Sequence, residues 1–212
     1  MFKYLQLFLF ISPAYSCITS SPSPSPSPSP SPSGSTSTCI SGASSPHSSC
    51  LSSNGANFQS TISISSSDAL TAHNNKRQSS ALSPTPNPTL VNLQWNSDLA
   101  TTAERYAAQC IFDHDEYSER DVPSQSSWSY VGQNIYATSA STATIESAVT
   151  AWFNEIDDWQ YGTGSVNGKV VGHFTQIVWE STTHVGCGAA LCSSLTGASS
   201  MKSIVICNYG PA

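Results

Sequence analysis

Residues 21–32 are six consecutive Ser-Pro repeats, and they separate a part of the chain that cannot build a core from a part that can. Proline at every second position holds the backbone extended and removes amide donors. From Ser20 to Ser53 the chain is mostly Ser, Pro and Thr. Too few apolar side chains are present there to offset the entropy of ordering them. Residues 17–64 therefore read as a disordered stalk, with hydroxyls suited to O-glycosylation. Upstream, residues 1–16 have the layout of a secretory signal peptide: Lys3, the apolar run Leu5 to Ile11, then Ala14 and Ser16 at a small-x-small cleavage site. That run is too short to span a bilayer. The expectation is a secreted, extracellular protein with no transmembrane segment once the signal is removed. Residues 65–212 have the length of one domain with a substantial core.

Charge and cysteine usage agree with that compartment. Thirteen acidic residues face seven basic ones, a net charge of -6, with no polybasic run. Nucleic acid and anionic membrane are poor partners for such a surface. Seven cysteines in a secreted chain point to disulfides. Cys17, the first residue after the cleavage site, is the odd one. Cys39 and Cys50 flank a small Ser/Gly/Pro loop and can pair locally, the alternatives being incidental or intermolecular thiols. Cys110, Cys187, Cys192 and Cys207 allow three pairings. No Asn-x-Ser/Thr sequon occurs.

Hydrophobic periodicity places the elements. Ser66, Ser67 and Asp68 offer N-cap oxygens for a helix through about Gln78. Asn96 or Ser97 caps a second helix, with Leu99, Ala103, Tyr106, Ala107 and Cys110 on one face. Continued by one turn, that face brings His114 beside Cys110. Trp128 to Ala137 alternates as a strand interrupted by Gly132. A third helix is expected over 142–157, with Ile145, Val149, Trp152 and Ile156 buried and Glu155 adjacent. Val185 to Leu191 alternates, and Ser203 to Tyr209 is the strongest strand signal. Between the last helix and these strands lies GHFTQIVW, residues 172–179, which sets His173 in an apolar run. Of the other histidines, His73 reads as helix packing, His184 as a solvated loop residue and His47 as part of the stalk. Interleaved helices and antiparallel strands indicate an α+β sandwich.

GHFTQIVW, followed by VGCG and ICNYGPA, resembles the signature segments of the CAP superfamily: cysteine-rich secretory proteins, antigen 5 and pathogenesis-related 1 proteins, also called the SCP domain. WFNEIDDW, GQNIY, LQWNSDLATTAERYAAQC and ALTAHNNKR extend the resemblance over residues 65–212. It implies an α-β-α sandwich with a central antiparallel sheet between helical layers. It also implies a cleft lined by His114, Gln133, Glu155 and His173, with Gln133 standing where the family usually has an acid. It favours the pairings Cys110–Cys192 and Cys187–Cys207. The implied metal is zinc, held by His114 and His173, in a site weakened because an amide at 133 cannot ionise. No Gly-x-Ser-x-Gly elbow or His-Glu-x-x-His helix is present. The expected function is non-enzymatic binding of a sterol, another lipid or an extracellular protein partner. Trp159 and Tyr161 fall on the loop that the resemblance connects with sterol. The alternatives are a metal-dependent hydrolase or peptidase using the His/Glu cleft, and a structural adhesion module with neither activity.

Overall fold

A sheet with helices on both faces is built from the segments that the periodicity marks. The computed structural model describes residues 39–212. The expected signal peptide, the Ser-Pro repeats and Cys17 lie outside them. In chain order the elements are β1 (Phe58–Ile62), α1 (Ser66–Arg77), β2 (Gln94–Trp95), α2 (Ser97–Ala107) and α3 (Tyr117–Arg120). Then follow β3 (Gly132–Thr138), α4 (Ile145–Phe153), β4 (Trp159–Gln160), β5 (Gly164–Ser165), α5 (Gly172–Ile177), β6 (His184–Cys192) and β7 (Ser203–Gly210). The main sheet has the order β1-β6-β7-β3, antiparallel throughout. The two residues of β2 add a short parallel pairing to β6.

Alternation along β6 and β7 makes the two layers. Val185, Cys187, Ala189, Val205, Cys207 and Tyr209 point to a core shared with α1, α4 and α5. Ala190, Cys192, Ile204 and Ile206 point to the other side, against Ala103, Tyr106 and Ala107 of α2. Helix α2 rests directly on the sheet because Gly186 and Gly188 leave it no side chain to climb over: a Cβ at either would run into α2 backbone. Cys187–Cys207 joins directly opposed residues of β6 and β7. Cys110–Cys192 ties the end of α2 to the end of β6 across a separation of 82 residues, closure of which stabilises by about 4–5 kcal/mol in the chain-entropy view.

Helix starts follow the caps. Ser65 accepts from the Asp68 amide, Asn96 from those of Asp98 and Leu99, and Thr144 from that of Ser147. Arg77, at the end of α1, is buried and makes no ion pair among the described residues. Its guanidinium donates instead to the carbonyls of Val91, Ile177, Trp179 and Thr182, locking the chain that leaves α5.

Several expectations need correction. The stalk does not extend to residue 64. Cys39 and Cys50 are bonded, and Ile40, His47, Ser48 and Ser49 are buried. The strand β1 pairs with β6. Packed structure is thus present from Cys39 onward. Hydrogen bonds order this Ser-rich stretch where apolar burial could not. The ring of His47 accepts from the Ser49 amide at Nδ1 and donates from Nε2 to the Asp121 carbonyl, and the Ser48 hydroxyl donates to Asp115. Helix α2 does not run on to His114: Cys110 sits at φ 58°, a left-handed turn that redirects the chain. The third helix is shorter than expected, closing at Phe153 with a 3₁₀ turn over Asn154–Asp158 that carries Glu155 and Ile156. The strand around Gly132 starts there and not at Trp128. His184 is the first residue of β6, packed 5.3 Å from the Trp128 ring, and partial burial lowers its pKa.

Candidate functional site

Each of the four expected cleft residues is placed by a different element, and they form two pairs at the end of β3. Gln133 and Asn134 are consecutive on that strand, so their side chains leave opposite faces of the sheet. On the α2 face, His114 donates from Nδ1 to Gln133 Oε1 at 2.8 Å. On the other face, His173 donates from Nδ1 to Glu155 Oε1 at 2.6 Å. No hydrogen bond or ion pair joins one pair to the other among the described residues.

The amide at 133 has a local reason. Its Nε2 donates to Asp115 Oδ1 at 2.9 Å and to Asn208 Oδ1 at 3.1 Å, which leaves Oε1 turned to His114. Asp115 is itself buried. It takes a 2.7 Å bond from Arg120 Nη1, a second contact from the same nitrogen at its carbonyl, and the Ser48 hydroxyl. A residue at 133 must therefore present a donor to one carboxylate and an acceptor to an imidazole. Glutamine does both; a carboxylate does only the second. Asp115, Arg120 and Asn208 are the site residues that pattern reading does not flag. The available signal is scarcity: only 9% of residues are charged, so Arg120, the last residue of α3, marks a structural pair with a nearby carboxylate.

Glu155 is fully engaged. Helix α5 has no side-chain cap of its own, because its N-cap is Val171. Glu155 Oε2 supplies one from outside, accepting from the backbone amides of His173 and Phe174 at 3.0 and 3.1 Å, while Oε1 holds the His173 ring. The ring stacks on Trp152 with centroids 6.2 Å apart. Trp152 in turn donates its indole N–H to the Ile135 carbonyl. Below the site, Asn134 donates to the His173 carbonyl and to the Tyr209 hydroxyl. That hydroxyl meets His73 Nε2 at 2.8 Å, and His73 Nδ1 donates to the Ala69 carbonyl. Burial lowers the His73 pKa to about 4 and raises that of Tyr209 well above its usual value. This chain is a neutral, buried tie between α1, β7, β3 and the loop into α5.

The arrangement holds both imidazoles through Nδ1, His114 on Gln133 and His173 on Glu155. It does not fit a resident zinc. No group of three His, Cys, Asp or Glu side chains converges among the described residues. The one carboxylate of the set is spent on α5 and His173, and the position opposite His114 is an amide. No Ser, Thr or Cys side chain is hydrogen-bonded to His173 Nε2 among the described residues.

Trp159 and Tyr161 lie on the β4–β5 hairpin. Trp159 is half-buried, 6.1 Å from the Phe174 ring, and Phe174 packs edge-on against Phe153. The hairpin and the histidine are thereby connected through α5. Val170, just before α5, is 68% exposed.

Comparison with known proteins agrees with this architecture. The profile of the cysteine-rich secretory protein family (CAP) matches residues 70–209. GLIPR1-like protein 1 of Homo sapiens is 38% identical over 118 residues, covering 56% of this chain and 48% of the relative. Cysteine-rich secretory protein 2 of Homo sapiens is 36% identical over 141 residues, covering 66% and 53%. The chain thus spans about half the length of the curated relatives it matches. Among solved structures, NaASP2 with Zn2+ superposes with a TM-score of 0.54 at 28% identity, covering 72% of this chain and 82% of that one. A profile match across most of the chain, with the α-β-α fold and paired cystines described above, makes this chain a member of the cysteine-rich secretory protein (CAP) family.

Proposed function

We propose that the protein acts outside the cell as a non-enzymatic binding domain, taking a sterol or another lipid at the β4–β5 hairpin beside α5. The observation that carries the non-enzymatic part is the state of Glu155. Both of its oxygens are occupied by His173 and the α5 amides, so the carboxylate is committed to holding α5 and the imidazole and is not itself free to act as a base. The ligand class rests on the apolar and aromatic residues connected through α5: Trp159, Phe174, Phe153 and the exposed Val170. Apolar surface with few polar groups suits a lipid. Extracellular location is supported by three disulfides and by the leader-like residues 1–16.

The experiment sets a labelled-sterol binding assay beside zinc-dependent peptidase turnover. Sterol retention that falls at least fivefold in Trp159→Ala, with no turnover in any preparation, is the expected result. Turnover that requires added zinc and vanishes in His173→Ala overturns the reading in favour of the hydrolase. Absence of both activities leaves a protein partner or an adhesive role and removes the lipid.

A further inference from the structure

Away from the four-residue cleft, the loop between α2 and β3 folds over a cavity of about 330 Å³. That is within the size range of small-ligand pockets, about 300–1,000 Å³. Its walls are amphiphilic. Tyr117 and Tyr130 stand on one side, 52% and 36% exposed, their rings edge-to-face at 4.7 Å. Trp128 also lines it and is seated hard against Gly210, where any Cβ would strike the indole. Exposed aromatic rings cost the molecule solvation, yet these are held in place. The Arg120 guanidinium packs 4.9 Å from the Tyr117 ring centroid and 5.9 Å from that of Tyr130, and it donates to the Tyr130 hydroxyl. Arg120 is itself anchored by Asp115 and the Val131 carbonyl. The platform is therefore rigid before any ligand arrives, which lowers the entropy cost of binding.

The polar groups of the pocket complete the pattern. Asp121 lines it with its side chain 58% exposed; His47 Nε2 donates to its backbone carbonyl and lies 3.3 Å from one carboxylate oxygen, leaving the other to the pocket. Gln125 and Ser126 line it too, and their side chains make no hydrogen bond among the described residues. A turn closed by the Gln125 and Trp128 amides fixes the backbone between them. Aromatic faces beside a carboxylate, an amide and a hydroxyl match a ring that is apolar on its C–H face and rich in hydroxyls at its edge. Charge narrows the class. The guanidinium beside the pocket, that of Arg120, is 2% exposed and already neutralised by Asp115. Asp121 adds a negative charge to a chain of net -6, so sulfated and uronic sugars are repelled.

We propose that this pocket binds a neutral pyranose ring, the sugar of an uncharged glycan. It is separate from the lipid reading above and stands on different residues. The test is saturation-transfer difference NMR on the full chain with three uncharged disaccharides, maltose, mannobiose and N,N′-diacetylchitobiose, and with a heparin disaccharide as the anionic comparison. Transfer to the C–H protons of at least one neutral sugar is expected, and none to the heparin fragment. Affinity should fall at least tenfold in Tyr117→Ala and about fivefold in Gln125→Ala. It should be retained in Tyr117→Phe, which keeps the ring, and in Val91→Ala on a distant loop. Thermal melts of each variant separate loss of contact from loss of fold, and Gln125→Ala, a half-exposed turn residue, should melt with the parent. The proposal is overturned by absence of transfer to all three neutral sugars up to about 100 mM. Binding of the heparin fragment alone overturns it too, as does full affinity in both Tyr117→Ala and Gln125→Ala.

Discussion

At residue 133 the site shows how one neighbour selects a side chain. The Gln133 amide donates to the buried Asp115 carboxylate and accepts from His114. In Gln133→Glu two carboxylates face each other and the donor is gone. The variant should be about 1–3 kcal/mol less stable at neutral pH, measured by urea unfolding. The new carboxyl would have a folded pKa raised by Asp115, so its cost is present above that pKa. The deficit should narrow as the pH falls through it. Glu155 makes the complementary case. As a remote cap of α5 it contributes to stability, so Glu155→Gln should lower the urea midpoint by the equivalent of about 1–2 kcal/mol. The amide resonances of His173 and Phe174 should move with it. A carboxylate held for chemistry alone would leave the midpoint unchanged or raise it on removal.

Among the elements, the segment from Cys39 to β1 has the largest structural consequence for its composition. It covers the outer edge of β6 with β1 and places Ser48 on Asp115. A chain beginning at Ser65 should therefore be less stable than one beginning at Ser37 by about 3 kcal/mol or more, and less soluble because an edge strand is bared. Urea midpoints and soluble yield compare the two. This segment is also where the sequence is least legible. Ser, Gly and Pro carry no periodicity, and a seryl hydroxyl reveals nothing of the carboxylate it will meet 67 residues later. Elements with a strong apolar period were legible: α2, the middle of α4, β6 and β7 fall where Leu99, Val149, Val185 and Ile204 place them, and α1 falls where its capping serines do. The C-terminal ends of α2 and α4 were not, because local geometry sets them, as the left-handed Cys110 does for α2. The CAP motifs pointed to His114, Gln133, Glu155 and His173. That these would divide into two pairs, with Glu155 spent on a helix start, depends on backbone amides that no side-chain pattern displays.

On the scale of the whole molecule, acid sensitivity should centre on His73. Its folded pKa, about 4, lies below the ordinary 6.5 because the ring is buried. Above 6.5 the ring is neutral in both states, and the folded form is not penalised. Between 6.5 and 4 the unfolded chain takes up a proton that the folded chain refuses, so stability is lost as pH falls through that window and levels below it. The full loss is about 3 kcal/mol. Urea midpoints from pH 7 to pH 4 should show it, and His73→Gln should remove that share of the slope. The position of Cys39 carries a last consequence. Every disulfide, hydrogen bond and packed side chain described above lies from that cysteine onward. A chain trimmed upstream of it would keep all of them, with the sheet edge covered and the pocket formed.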